Sequence, residues 1–335
     1  MDLENITHYH RDTRYASKSA LDLLDTSPWL YYLKKVLPNT PGGPEQLDRL
    51  VPAHVRIQWA EQNESRHFVI GDALDRMVLE PQKFQQDFYV GTAHSRATKE
   101  GKAEAAQLHR DNPSKRWISP DEFRDIQAMA KAIHASPYGA LVAGRNVAQQ
   151  TVTWTDPGTG ILCKCRPDFR VLLDTLPPRP GQPDTRIRNH SGQVIDEIIF
   201  DLKSIESLKK WPAHVDDFGY DKQHAMYLDG CNQAEAEQIT AEASDHDWLS
   251  GDFTRRPLVR MFAFLIVDTN WPHDVMVRTL PPDAEDIGRM KYQRNLETLQ
   301  QCRQTNTWPR AAGDWQETAM PTWYFHKHRN QTQQR

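Results

Sequence analysis

Apolar residues recur at helical spacing through the first part of the chain. The segment SKSALDLLDTSPWLYYLKKV, residues 17–36, predicts a helix with a break or restart at Ser27-Pro28. The Pro- and Gly-rich residues 37–52 predict a loop. The segment GDALDRMVLE then predicts a second helix over residues 71–80.

The clearest helix signal is the segment SPDEFRDIQAMAKAIHAS. Ser119 is a natural N-cap, Pro120 takes the first helical position and Glu122 completes a capping box. Phe123, Ile126 and further apolar residues follow at helical spacing. The first part of the chain is therefore predicted to be helical.

The pattern changes to alternation after Ala148. QQTVTWT and ILCKC flank the turn DPGTG and predict a hairpin, and PDFRVLLD predicts a third strand. A flexible excursion over 177–192 leads to a fourth strand over 194–203. A helix over 220–230, a hairpin of VRMFAFLIV and VMVRTL, and a final helix beginning at PPDAEDIG follow. This order predicts helices, a mainly antiparallel sheet and helices, which is an α/β arrangement.

The same change divides the chain into two parts. We expect an N-terminal helical part over 1–145 and a core with a C-terminal helix over 146–335, integrated into one domain. The segment AEAEQITAEASDHDWLSGD, residues 234–252, is strongly acidic and is interpreted as an insertion between core elements. It is either a solvated loop or a contact for a partner protein.

Composition narrows the class of protein. The 335 residues are 38% hydrophobic and have a mean hydropathy of -0.74, and no apolar run approaches the roughly 20 residues that span a bilayer. The N-terminus is polar, and four scattered cysteines do not form a disulfide framework, so we expect a cytoplasmic protein without a membrane partner. The net charge of -4 neither indicates nor excludes nucleic-acid binding.

Two short motifs carry the candidate chemistry. Asp201 and Lys203 are two apart at the end of a predicted strand and therefore share a face, and Asp168 begins the neighbouring strand. Pairing these strands would bring two carboxylates and one ammonium together, an arrangement tolerated chiefly where a cation binds. Hard oxygen ligands suit Mg²⁺ or Mn²⁺. An isolated DxK is more often a surface ion pair, but Arg166-Pro167-Asp168 one strand earlier favours the metal site.

A third motif lies on the helix that follows. Gln223 and Tyr227 are four apart in FGYDKQHAMYLDG and share one helical face, with His224 about 100° round the helix. The helix could simply pack its apolar residues, or Gln223 and Tyr227 could face the site. Both interpretations hold if different faces are involved.

In their order, these segments resemble the PD-(D/E)XK nuclease superfamily, and within it the exodeoxyribonuclease VIII (RecE-like) group of phage-type recombination exonucleases. The segments are GDALDRMVLEP, CRPDF, DLKS and FGYDKQHAMYLDG. The resemblance implies a restriction-endonuclease-like core, in which helices flank a central mixed β-sheet, with helical N- and C-terminal additions. It also implies a metal-dependent exonuclease that degrades double-stranded DNA ends from 5′ to 3′ in recombination. Its partners would be a single-strand annealing recombinase and further copies of the chain.

The resemblance also assigns roles to residues. Asp168 and Asp201 would bind Mg²⁺ or Mn²⁺, with the Leu202 carbonyl as a further ligand. Lys203 would be the catalytic lysine, and Gln223 and Tyr227 the Q-x-x-x-Y motif. Residues expected to contact DNA phosphates are Arg166, Arg170, Lys209 and Lys210. Trp211 and Tyr220 could stack on a base or pack in the core.

Two positions depart from the family pattern. Asp75 stands where the family usually has a metal-binding His, and an Asp can still bind a hard cation. An acidic residue often found before the first strand is matched by Gln149 or Gln150. These departures keep two alternatives open: a DNA-binding module that kept the fold without turnover, and a defence-related endonuclease of the same superfamily.

Overall fold

A computed structural model of the protein describes residues 9, 12–63, 65–92, 94, 97–144, 146–174, 184–245, 256–310 and 322. Within these ranges the chain forms twelve α-helices, which we number α1 to α12 in chain order. They are Lys18–Thr26, Pro28–Tyr31, Gly43–Leu50, Ala53–Asn63, Arg66–Leu79, Pro81–Asp87, Lys99–Asp111, Pro120–Ala135, Gly139–Ala143, Trp211–Asp217, Tyr220–Asp245 and Pro282–Thr305. A π-helical turn and two 3-10 turns complete the helical structure, at Tyr32–Val36, Leu37–Asn39 and Leu208–Lys210.

Nine strands, β1 to β9, lie in the same ranges. They are Phe88–Val90, Arg116–Ile118, Asn146–Ala148, Val152–Thr155, Leu162–Cys165, Phe169–Leu172, Glu197–Ile205, Arg260–Asp268 and Val275–Arg278. Five of them form a central sheet in the order β3-β6-β7-β8-β9. The β7–β8 pair is parallel and the other three pairs are antiparallel, which confirms the predicted mixed and mainly antiparallel sheet. β1–β2 and β4–β5 form separate two-stranded sheets.

Side chains of β7 and β8 alternate between two hydrophobic cores, one on each side of the central sheet. Ile199 and Phe264 belong to the first core, with residues of α1, α11 and α12. Phe200 and Leu265 belong to the second core, with residues of α5 and α8. Burying each such side chain contributes roughly 1.5–3 kcal/mol. Helices therefore flank the sheet on both sides, as the α/β prediction required.

Local signals identified several elements correctly. Ser119 Oγ accepts a hydrogen bond from the Glu122 amide at 3.2 Å, and the Glu122 carboxylate accepts one from the Ser119 amide at 2.8 Å, which confirms the capping box. The predicted break at Ser27-Pro28 is also confirmed, because α1 ends at Thr26 and Ser27 caps α2. The hairpins β4–β5 and β8–β9 form as predicted.

Other elements differ from the prediction. The second helix, α5, begins at Arg66 rather than residue 71, and residues 37–52 contain α3 rather than only a loop. The helix predicted over 220–230 continues to Asp245, so the first part of the acidic segment is helical, and residues 246–252 lie outside the described ranges. The Pro- and Gly-rich composition hid α3, whose Leu47 packs against Leu33, Leu37 and Val51. The helix α11 continues past residue 230 to where Glu235 pairs with Arg260 of β8.

Two further features bear on the class of protein. None of the helices in the described parts of the chain is both long and apolar enough to cross a membrane. Cys163, Cys165, Cys231 and Cys302 are buried free thiols.

Candidate active site

The pairing of β6 with β7 creates the site. Phe169 lies opposite Phe200 in this antiparallel pair, so Asp168, which precedes β6, lies beside Asp201. The Leu202 amide donates a hydrogen bond to Asp168 Oδ2 at 2.6 Å across this junction. One detail of the prediction is wrong: β7 continues to Ile205, so Asp201 and Lys203 lie within it, at the point where β6 begins.

Asp201 is the most enclosed acid of the site. Its side chain is buried, Oδ1 accepts a hydrogen bond from Gln223 Nε2, and Oδ2 forms an ion pair with Lys203 Nζ. Among the described residues, the Lys203 ammonium is the charged partner of Oδ2. An anionic oxygen that already contacts a cation is of the type that binds a hard divalent cation, which would have to displace the ammonium or share the oxygen with it.

The Lys203 ammonium lies between the acids and an aromatic ring. Burial opposes its charge, but the carboxylates of Asp201 and Asp168 outweigh burial and raise the pKa of Lys203 above its ordinary value. Its Nζ lies 5.0 Å from the centroid of the Tyr220 ring, within the range of a cation–π contact. Lys203 is therefore a cation at neutral pH and a hydrogen-bond donor.

The pKa of Asp168 is raised by its buried position and by the neighbouring negative charge. Burial and the nearby Asp201 charge raise its pKa from 3.8 to about 7, although Lys203, the Leu202 amide and Gln149 act in the opposite direction. Gln149 Nε2 lies 3.3 Å from Asp168 Oδ1, and the Gln149 backbone has a φ of +53°, which is uncommon for a residue other than glycine. A carboxyl group with such a pKa is half-protonated near neutrality unless a cation joins it.

Asp75, on α5, completes the set of acids. Burial raises its pKa well above the ordinary value, and the charges of Asp168, Asp72 and Asp201 add to the rise. We call Asp75, Asp168, Asp201 and Lys203 the site cluster. It contains three carboxylates and one ammonium, so its net charge is negative when all four groups are ionised.

The oxygen donors fit a hard divalent cation in chemical type, but they are not arranged around one as they stand. Within the described ranges, no three His, Cys, Asp or Glu side chains are grouped closely enough to hold a metal ion. Lys203 Nζ contacts Asp201 Oδ2, the oxygen that would bind the metal ion, so the ammonium occupies the position of the metal ion there. Leu202 contributes its amide to Asp168, and the role of its carbonyl stays a prediction.

The helix α11 brings its predicted residues to the site. Gln223 Nε2 donates a hydrogen bond to Asp201 Oδ1. Burial raises the pKa of Tyr227 well above its ordinary value, and the charges of Tyr9 and Asp201 add to the rise. His224 instead faces α12, where its Nε2 lies 3.2 Å from Glu285. The helix therefore packs with one face and reaches the site with another.

The basic residues are placed unequally. Arg166 is half-buried and lies 3.3 Å from Gln149 Oε1, beside the site. Arg170 forms an ion pair with Glu197 and donates a hydrogen bond to Gln150. Lys209 and Lys210 lie on the exposed 3-10 turn after β7, where Lys210 pairs with Glu206 at 2.7 Å.

The sequence did not assign a position to one residue of the site, Gln149, or to Tyr9, which acts on Tyr227. Gln149 was one of two candidates for the missing acid, and only the structure places it, and not Gln150, against Asp168. Tyr9 acts on the pKa of Tyr227, and no local signal in the N-terminal segment indicates this. Trp211, an alternative base-stacking residue, is buried and stacks on Tyr220.

Comparisons with known proteins add little to this geometry. No protein-family model matches the chain, and neither does any curated protein. Among solved structures, the chain is similar to the crystal structure of a protein named "Putative exonuclease" from Eubacterium rectale. The two are 14% identical, the match covers 98% of this chain and 97% of that chain, and the TM-score is 0.48. A likeness this distant does not transfer an activity to this protein.

Proposed function

We propose that this protein is a divalent-metal-dependent nuclease that hydrolyses phosphodiester bonds at the ends of double-stranded DNA. The observation that carries the proposal is the site cluster. Asp168 and Asp201 adjoin Lys203 at the β6–β7 junction, and burial together with their charges raises the pKa of Asp75 on α5. Such an excess of buried negative charge is costly unless the site binds a cation.

The substrate class comes from the resemblance of the ordered sequence motifs, and charge explains why such a substrate would need a metal ion. A phosphodiester is anionic and would be repelled by these acids, so a cation is needed between them. Asp75, Asp168 and Asp201 would hold Mg²⁺ or Mn²⁺, with the Leu202 carbonyl as the further ligand predicted from the sequence. When bound, such an ion neutralises charge on the phosphate and lowers the pKa of a water molecule.

The protein groups have distinct roles in this proposal. Lys203, a cation at neutral pH, would move from Asp201 to donate to the attacking water or the phosphate, where negative charge develops. Gln223 holds Asp201, and the Leu202 amide and Gln149 hold Asp168, so the carboxylates are oriented before substrate arrives. Tyr227 would lie close enough to contact the DNA strand.

The finer assignment rests on the ordered motifs of the sequence. Their resemblance to RecE-like exonucleases favours end-dependent degradation from 5′ to 3′. It further favours cooperation with a single-strand annealing recombinase and assembly of several copies of the chain. Arg166, Lys209 and Lys210 are the basic residues best placed to contact phosphates, because Arg170 is engaged by Glu197.

The test compares linear duplex DNA with closed circular DNA, in Mg²⁺ or Mn²⁺, using separate 5′ and 3′ end labels. We expect metal-dependent loss of the linear duplex and intact circles. Asp201→Asn should reduce the rate by about 10³-fold or more. Asp125→Asn, which changes an exposed acid on α8, is the matched control and should retain activity.

Each other outcome overturns a part of the proposal. Linear DNA that stays intact in both metals contradicts the nuclease, and tight DNA binding without cleavage would favour the module that lost turnover. Cleavage of closed circles would favour the defence-related endonuclease. Release of nucleotides from the 3′ label first would contradict the polarity.

A further inference from the structure

We infer that Phe218, supported from below by Tyr220, forms a stacking subsite for a nucleobase, beside the reaction centre. This inference deepens the proposed function and rests on it. The feature is a series of aromatic rings around the turn between α10 and α11. It begins in the core and ends at an exposed phenylalanine.

The rings form a continuous series from the interior to the surface. Trp211 is buried and stacks on Tyr220 with centroids 5.4 Å apart and planes at 19°. Tyr220 is half-buried and stacks on Phe218 at 5.7 Å and 29°. The Phe218 side chain is 51% exposed. A large apolar ring left half in water, on a support of other rings, is suited to be covered by another flat ring.

The series passes directly beside the site cluster. Lys203 Nζ lies 5.0 Å from the centroid of Tyr220, and Tyr220 lies 5.7 Å from Phe218. Successive nucleotides of a DNA strand rise about 3.4 Å along the helix axis. Phe218 is therefore within about three nucleotides of a phosphate held at Lys203. A base at that distance belongs to the same strand end that is cleaved.

The backbone holds Phe218 in place while its ring stays exposed. The Phe218 carbonyl accepts a hydrogen bond from Lys18 Nζ at 2.6 Å, and its amide donates to the His214 carbonyl at 3.1 Å. Gly219 follows with a φ of +60°, a conformation that favours glycine and turns the chain into α11. The His214 ring meets Phe218 edge-on at 5.1 Å. A ring fixed in this way loses little entropy when a base stacks on it.

Stacking also suits the chemistry of an end-dependent nuclease. Every base has a flat π-face, so an aromatic platform accepts each nucleotide in turn without selecting a sequence. Hydrogen-bond readout would instead slow the enzyme at some bases. The expected ligand is therefore any base near the strand end.

The experiment uses the full chain carrying Asp201→Asn, so that DNA is bound without being degraded. Duplexes carry the fluorescent base 2-aminopurine at one of the first three positions from an end, and its quenching reports stacking. We expect quenching by the Asp201→Asn protein. Adding Phe218→Ala should abolish the quenching and weaken binding roughly 5- to 150-fold. Phe218→Trp should retain both.

Two controls separate stacking from packing. Phe218→Leu keeps an apolar side chain without a π-face, so it should retain the folded state and lose the quenching. Phe68→Ala removes a phenylalanine of similar exposure, 57%, on α5, and should leave both signals unchanged. Equal behaviour of the Phe218→Ala and Phe68→Ala proteins would overturn the inference. Absence of any DNA binding by the Asp201→Asn protein would instead overturn the proposed function.

Discussion

Two charged clusters meet β7 through acids on the same face of the strand, and they differ in charge balance. The site cluster surrounds Asp201. The second, which we call the paired cluster, consists of Arg170, Glu197, Glu235 and Arg260. Glu197 and Asp201 are four residues apart on β7 and therefore point the same way. The helix α11 contributes to both, through Gln223 at the site and Glu235 at the paired cluster.

The paired cluster is balanced. Arg260 lies 2.6 Å from Glu197 and 2.7 Å from Glu235, and all three side chains are buried. Arg170 adds a second contact to Glu197 at 3.3 Å. The Glu235 carboxylate also accepts a hydrogen bond from the Leu258 amide at 3.0 Å. Two arginines thus match two glutamates, and the cluster joins β6, β7, β8 and α11 without needing a further ion.

The site cluster keeps an excess of acid in similar surroundings. It has three carboxylates for one ammonium, and burial together with the Asp201 charge raises the pKa of Asp168 to about 7. The comparison shows that burial of charge on this face is not in itself a sign of function. The distinguishing feature is imbalance, which leaves the site cluster able to gain from a cation.

The largest expected effect is on the free energy of unfolding, which should respond to metal in variants of the site cluster and not in variants of the paired cluster. With a chelator present, Lys203→Met and Arg260→Met should each lower the free energy of unfolding by about 3–5 kcal/mol, because each leaves buried carboxylates unpaired. Adding Mg²⁺ or Mn²⁺ should restore Lys203→Met alone, because only the site cluster can bind the ion. Urea unfolding with and without metal measures both. Equal rescue of the two variants would contradict the distinction.

The next effect is on the pH dependence of stability without metal. Because folding raises the pKa of Asp168 from 3.8 to about 7, the folded state holds this proton more tightly than the unfolded state. The associated stability is complete below about pH 4 and is lost as pH rises through about 7, with a total on the order of 4 kcal/mol. Asp168→Asn should flatten this dependence in urea unfolding between pH 4 and 8. An unchanged slope would contradict the assignment.

A smaller effect is expected at Gln223. Gln223→Ala leaves the buried Asp201 Oδ1 without its hydrogen bond, which should cost about 1–3 kcal/mol of stability. It should also slow cleavage, because Asp201 loses its orientation. Gln233→Ala, on the same helix, removes only a partly exposed contact to Glu237 and serves as the control. Unfolding and cleavage of linear duplex are measured for both variants, and equal effects would argue against a role for Gln223.

The smallest effect concerns the two glutamines before β4. Gln149→Glu places a fourth acid against Asp168 and should tighten metal binding on the order of tenfold. Gln150→Glu places its charge near Arg170 and should leave metal binding unchanged. Titration of the cleavage rate with Mn²⁺ measures both, and tighter binding in the second variant would place the missing acid at residue 150 instead.

Local chemistry accounts for the elements that were predicted well. The capping box at Ser119, the break at Ser27-Pro28 and the apolar run along β8 depend on residues a few positions apart, so they can be read directly from the sequence. Helix α3 packs on the neighbouring 3-10 turn at Leu37–Asn39. The true start of α5 and the extension of α11 to Asp245 accompany contacts with distant elements, Arg66 with Glu122 and Glu235 with Arg260. No local pattern marked those boundaries.

The same division holds for the site. By itself, the sequence determined that Asp168, Asp201 and Lys203 belong together. Strand periodicity puts residues two apart on one face, and strands that follow one another in the chain usually pair. Only the tertiary structure decided that Gln149 contacts Asp168, that Gln223 holds Asp201, and that Arg170 serves the paired cluster. Charge balance is a property of groups brought together in space from distant parts of the chain. No pattern along the chain could therefore distinguish the two clusters.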